Sequence, residues 1–205
     1  MKQFLTSSRR KTLQIDIYTH NNCESSNNFI VNQLTWIMKK EKSTYYNMTI
    51  HPVGGVSLSI NNDLICSSGL LTCQLNMVLS CVNHLYIDPK IRWSVTRCVI
   101  SYNRYIFENL ELCTDGSNVL FNDIYTCVHS GQGEKLLKEE IRQASVVLPS
   151  LLSQDKIRYP ATFLEGKLMS RHEVFYSELC ASFATPPSWC LRIPPLLLKS
   201  SYCSL

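Results

Sequence analysis

The residues with the most chemical capacity in this 205-residue chain are ten cysteines and five histidines. The cysteines fall at irregular spacings: Cys23, Cys66, Cys73, Cys81, Cys98, Cys113, Cys127, Cys180, Cys190 and Cys203. No two form Cys-x-x-Cys, and no two histidines stand a helical turn apart. A structural zinc site needs such local pairs, because two ligands must converge from one turn, so no metal is expected. The cysteines read instead as free, mostly buried thiols that pack like small apolar residues. His20, His51, His84, His129 and His172 are scattered. A Cys–His nucleophile pair stays open, since such residues can meet in space. Ser130-Gly131-Gln132-Gly133-Glu134-Lys135 lacks the spacing of a phosphate-wrapping loop. It reads as a helix entry, with Glu134 near the positive end of the dipole. There is no Gly-x-Ser-x-Gly elbow and no His-Glu-x-x-His. These absences predict a protein that is not an enzyme, with no cofactor and no small-molecule substrate.

Composition supports a folded, partner-binding chain. Hydrophobic residues make up 45% and charged residues 18%, a globular balance. No stretch has the apolar length of a membrane span. The segment before Arg9-Arg10-Lys11 has no secretory apolar core. The expected location is therefore the cytosol, and the sequon Asn47-Met48-Thr49 is expected to be unused. The net charge is +4, and the first 15 residues hold Lys2, Arg9, Arg10 and Lys11 with no acid. Removing those four from 20 basic residues leaves 16, matched by 16 acids, so the excess sits in an N-terminal arm. With Lys39, Lys40 and Lys42 it forms a candidate surface for anionic membrane or nucleic acid.

The elements follow from periodicity. Residues 1–28 read as a flexible basic and polar arm, with a short strand allowed at Leu13–Tyr18, and 29–205 as one globular domain. Phe29, Leu34, Ile37 and Met38 make one side of a short helix over 29–41. Tyr46, Met48, Ile50 and then Val56, Leu58, Ile60 alternate around Pro52-Val53-Gly54-Gly55, a strand–turn–strand signal. Ser67 or Ser68 can cap a helix of about five turns carrying Leu71, Leu75, Val78, Leu79, Val82, Leu85 and Tyr86 on one face, stopped by Asp88-Pro89. Residues 91–106 keep helical spacing, although 91–95 also alternate, and Arg92, Arg97 and Arg104 fall off the apolar stripe. Strands are predicted around Leu110–Leu112 and Val119–Phe121, a helix over Glu134–Val147, and late strands over Ile157–Leu164 and Glu173–Phe183. The implied class is α+β, an antiparallel sheet packed against two or three helices.

Two short segments suggest functions. Leu148-Pro149-Ser150-Leu151-Leu152 with Pro160 resembles the core of an F-box, which implies an adaptor or silencing suppressor recruiting a ubiquitin ligase. Ser80-Cys81-Val82-Asn83-His84-Leu85-Tyr86-Ile87, followed by a basic turn and the apolar run 90–106, resembles the central helix of rhabdovirus matrix proteins over residues 43–107. That resemblance implies a virion protein of the host cytoplasm, inner membrane faces and nucleus. It would self-associate, condense the nucleocapsid through the nucleoprotein, meet the glycoprotein tail and support budding. Lys2, Arg9, Arg10 and Lys11 would then bind anionic headgroups with roughly 4 kcal/mol at best. A Pro-Pro-x-Tyr budding motif is absent.

Overall fold

Strand β1, Leu13–Tyr18, organises the structure. The computed structural model describes residues 12–40, 45–102, 105–115, 118–148, 158–169, 174–191 and 203–204. β1 alternates: Leu13, Ile15 and Ile17 turn one face into the core, Ile15 and Ile17 fully buried, while Gln14 and Asp16 on the other face are half-buried. It pairs in parallel with β2, Tyr46–His51. A parallel pair needs a crossover. Here the crossover is a helical run made of α1 (Glu24–Asn28), a π turn (Phe29–Gln33) and α2 (Leu34–Lys40). On its other side β1 pairs antiparallel with β6, Ala161–Leu164, which pairs with β7, Lys167–Leu168. The sheet order is β2-β1-β6-β7. A hairpin of β3 (Ser57–Leu58) and β4 (Leu64–Ile65) follows β2, and β5 (Arg158–Tyr159) pairs with β8 (Cys203–Ser204).

A helical block separates β2 from β6. It comprises α3 (Leu70–Leu85), α4 (Pro89–Ser101), α5 (Ile106–Thr114), α6 (Phe121–His129) and α7 (Gln132–Val147). A last helix, α8 (Phe175–Ala181), and a 3-10 turn (Ser188–Leu191) follow β7. Leu75, Val78, Leu79 and Val82 bury one face of α3 in the main core. Each contributes about 1.5–3 kcal/mol by leaving water. Among the described residues no helix is long and apolar enough to cross a membrane.

The α+β class holds, but several expectations change. The sheet is mixed rather than antiparallel, and the described residues carry far more than two or three helices. Residues 13–28, expected in an arm, supply a central strand and the start of the crossover. β2 pairs with β1 instead of folding back on 56–60. The segments near Leu110 and Phe121 are helices, because Ile106, Leu110 and Thr114 are buried a turn apart while Leu112 is 70% exposed. Phe175 and Leu179 make the same pattern in α8, expected as strand. Asp88 stops α3 and caps α4, its side chain accepting from Lys90 N at 2.8 Å. Arg92 does not form a basic face: it donates to Met48 O at 2.7 Å.

The free-thiol expectation also fails. Disulfides join Cys66–Cys73, Cys81–Cys127, Cys98–Cys113 and Cys180–Cys190, and Cys23 is disulfide-bonded as well. Local spacing gave no sign of them because their partners come from different elements, such as α3 with α6 and α4 with α5.

Candidate active site

β1 ends in a polar loop, Thr19–Asn22, that delivers Cys23 to the N-cap position of the helical run 24–40. The loop is held by backbone bonds. Thr19 N donates to His51 O at 2.9 Å, Gly54 N donates to Thr19 O at 2.8 Å, and Cys23 N donates to His20 O at 2.9 Å. Helix α3 braces it from below. Asn76, fully buried, donates to Gly54 O and accepts from Asn21 Nδ2. Gly54 lies against the loop so closely that an added Cβ would meet His20 Cβ at 2.4 Å and His20 Cα at 2.5 Å.

Cys23 is 1% exposed. It packs in a small apolar cluster with Tyr18, Val53, Ala144, Leu148, Tyr159, Ala161 and Phe163. Tyr159 and Ala161, which flank Pro160 at the turn into β6, both belong to that cluster. Three residues beyond Cys23, the buried Ser26 accepts from His20 N through its Oγ at 3.3 Å. Dithiol oxidoreductases place a second cysteine at this spacing; here the position is serine.

The His20 ring stands edge-on to Tyr159, with centroids 5.7 Å apart. Asn22 N donates to His20 Nδ1 at 3.2 Å, so that nitrogen carries no proton. Burial lowers the imidazole pKa and keeps the ring neutral. The proton therefore sits on Nε2, which donates to Ser68 Oγ at 3.3 Å. His20 thus ties the loop to Ser68, the residue before Gly69 at the start of α3. Burial also pushes the Tyr159 hydroxyl up to about 12, so it stays neutral.

A second titratable cluster lies under the first. His51, on β2, meets Asp16 Oδ1 on β1 at 3.1 Å and Glu140 Oε2 on α7 at 3.5 Å, with Tyr18 stacked on its ring. Burial lowers its pKa, but the hydrogen bonds and charges of Asp16 and Glu140 outweigh that and raise it to about 9. Burial, reinforced by Asp16 and Glu140, pushes the Tyr18 hydroxyl up to about 12.

The expected membrane-binding residues have no described part in this site. Lys2, Arg9, Arg10, Lys11 and Lys42 lie outside the described residues, Lys39 is exposed on α2, and Lys40 ends that helix. A signal for the candidate site was present. An apolar strand ends in a short polar loop, then a cysteine, then a helix. A search limited to Cys-x-x-Cys passes over it, because Ser26 removes the second cysteine.

The chain thus carries a parallel β–helix–β unit with a disulfide-bonded cysteine at its first strand-to-helix junction. The family model for gamma interferon inducible lysosomal thiol reductase (GILT) matches residues 14–117, and the chain belongs to that family. The gamma-interferon-responsive lysosomal thiol protein of Arabidopsis thaliana is 27% identical over 123 residues, 59% of this chain and 51% of that protein. The chain thus spans about half the length of the curated relative it matches. Among solved structures, DsbA of Chlamydia trachomatis shares the fold with a TM-score of 0.56 at 15% identity, over 77% of this chain and 78% of that one.

The family overturns the viral reading. The Ser80–Ile87 segment is the end of an ordinary amphipathic helix: Ser80 and Val82 are buried by core packing and Ile87 is 90% exposed. With it go the nucleoprotein, anionic-membrane, self-assembly and glycoprotein-tail partners, the roles in assembly and budding, and the virion, host-cytoplasm and nuclear locations. The expectation of no enzyme is corrected too, since the family is one of thiol reductases. The F-box reading has no support either: Leu148 is buried in the Cys23 cluster, and residues 149–157 lie outside the described residues. The reason for expecting the Asn47 sequon to be unused was cytosolic location, and it goes as well.

Proposed function

We propose that this chain carries out thiol–disulfide exchange on protein substrates, with Cys23 as the attacking thiol, in an oxidising compartment of the lysosomal or secretory kind. The observation that carries the reading is the position of Cys23. It stands at the junction of a central strand and a helical run, beside the Tyr159–Pro160 turn, and is already engaged in a disulfide. Family membership over residues 14–117 and the name of the plant relative support the same chemistry. Eight further cysteines tied in four pairs fit a chain that matures where disulfides persist.

The chemistry follows from these residues. A thiolate attacks one sulfur of a substrate disulfide and displaces the other. In the oxidised protein Cys23 is buried and cannot attack, so reduction must precede catalysis. Ser26 keeps the polar bond to the loop that holds His20, but its hydroxyl does not cleave a disulfide. His20 Nε2 meets Ser68 Oγ at 3.3 Å and links the loop to the start of α3.

The test is reduction of an interchain protein disulfide by the full chain with a small thiol as electron source, wild type against Cys23→Ser. Loss of rate enhancement in the variant, together with a wild-type adduct mapping to Cys23, is the expected result. Equal rates would sink the assignment.

A further inference from the structure

With serine at position 26, the loop–helix junction has no second thiol to release a substrate from Cys23. Yet Cys23 is disulfide-bonded, and its partner is none of the eight cysteines in the pairs Cys66–Cys73, Cys81–Cys127, Cys98–Cys113 and Cys180–Cys190. The topology brings one more cysteine to this place. Strand β8 pairs antiparallel with β5, and the register sets Cys203 opposite Tyr159. Tyr159 shares the apolar cluster of Cys23 and faces the His20 ring. β8 also touches α1, the helix that Cys23 caps. β8 therefore lies at the strand-to-helix junction from which Cys23 acts.

We propose that Cys203 is the second thiol of the active site, taking from the C-terminal strand the role that residue 26 does not fill. The proposal rests on the exchange reading of Cys23. In the reduced protein the Cys23 thiolate attacks a substrate disulfide. One substrate sulfur leaves with the electron pair and takes a proton from solvent, and a Cys23–substrate disulfide remains. The Cys203 thiolate then attacks Cys23 Sγ, the mixed bond breaks, and the second substrate sulfur leaves and is protonated. The substrate gains two electrons and two protons, and the protein holds a Cys23–Cys203 disulfide. Two molecules of a low-molecular-weight thiol reduce that bond and become one small disulfide. This wiring makes β8 a redox-linked element, bonded to the site in the oxidised state and untied from it in the reduced state.

The tethered thiol competes with free thiol through its effective concentration, on the order of millimolar for a flexible tether. With external thiol held about tenfold below that, removing Cys203 lengthens the life of the mixed disulfide about tenfold.

Two measurements on the full chain decide it. Non-reducing peptide mapping of oxidised wild type is expected to recover a cross-linked pair containing Cys23 and Cys203; Cys23 joined to any other cysteine overturns the proposal. In the second, reduced wild type, Cys203→Ser and Cys203→Ser/Ser26→Cys meet excess labelled substrate disulfide, and the Cys23 adduct is followed in time. The adduct is expected to persist in Cys203→Ser and to clear in the other two. Clearance by Ser26→Cys is the readout that a purely structural role for Cys203 would not move. Adducts that persist equally in wild type and Cys203→Ser overturn the second-thiol role and leave the exchange reading standing. No adduct in any of the three removes the exchange reading itself.

Discussion

The Cys81–Cys127 bridge ties α3 to α6 across the helical block, and both sulfurs lie in the main core, 0% and 2% exposed. Replacing both residues by alanine opens a closed loop with a sequence separation of 46. In the chain-entropy model that loop is worth about 4 kcal/mol at 25 °C. The Cys98–Cys113 bridge lies inside it and short-circuits a separation of 15. The effective loop is then about 31 residues, and the contribution falls only to about 3.7 kcal/mol, because closure entropy grows with the logarithm of length. The Cys66–Cys73 bridge closes a separation of 7 and gives about 2.4 kcal/mol by the same relation. The assay is urea unfolding of the two double-alanine variants and wild type under non-reducing conditions, read by far-UV circular dichroism. The expected order is a larger loss for Cys81/Cys127 by about 1.3 kcal/mol, with lost sulfur packing adding to that difference. An equal or larger loss for the Cys66/Cys73 variant would refute the reasoning, since no loop-closure argument gives that order.

Two other perturbations probe the site and its footing. Gly54→Ala places a methyl group 2.4 Å from His20 Cβ and 2.5 Å from its backbone Cα. The loop must move, so the adduct-forming rate of Cys23 is expected to fall while the thermal midpoint drops; an unaltered rate would mean that this loop does not position the cysteine. His51 has its pKa raised to about 9 against an ordinary 6.5. Its stabilising contribution is therefore complete below pH 6.5 and lost as pH rises through 9, up to about 3 kcal/mol for this mostly buried group. Wild type is expected to lose stability across that window, and His51→Gln to show a flatter profile; parallel curves would remove the ion-pair account.

The long periodic helices were legible in the sequence because many turns repeat one pattern. α3 and α7 came out nearly to the residue, and β2 was found from Tyr46, Met48 and Ile50. Helices of two turns were not, since Leu110 and Leu112 satisfy a period of two as readily as Leu110 and Ile106 satisfy one near four. Burial decides between them, and burial belongs to the assembled core. β1 was seen as a possible strand but left in an arm, because its partners lie far along the chain, Tyr46–His51 and Ala161–Leu164. The disulfides join elements that meet only after folding. The candidate cysteine, Cys23, stood in plain view, but the spacing rule that would have flagged it needs a cysteine at position 26.

The pairing of β1 with β6, Ile15 opposite Leu164, has a consequence for biogenesis. At a synthesis rate of about 5–20 residues per second, the first strand waits many seconds for its second neighbour to emerge. In that interval residues 66–127 are already made, and the Cys66–Cys73, Cys98–Cys113 and Cys81–Cys127 bonds can close within the nascent helical block. Cys23 emerges before all of them. β8, Cys203–Ser204, reaches its place against β5 later still. Bonds within the helical block can therefore form before β8 arrives, which leaves fewer thiols to compete for Cys23.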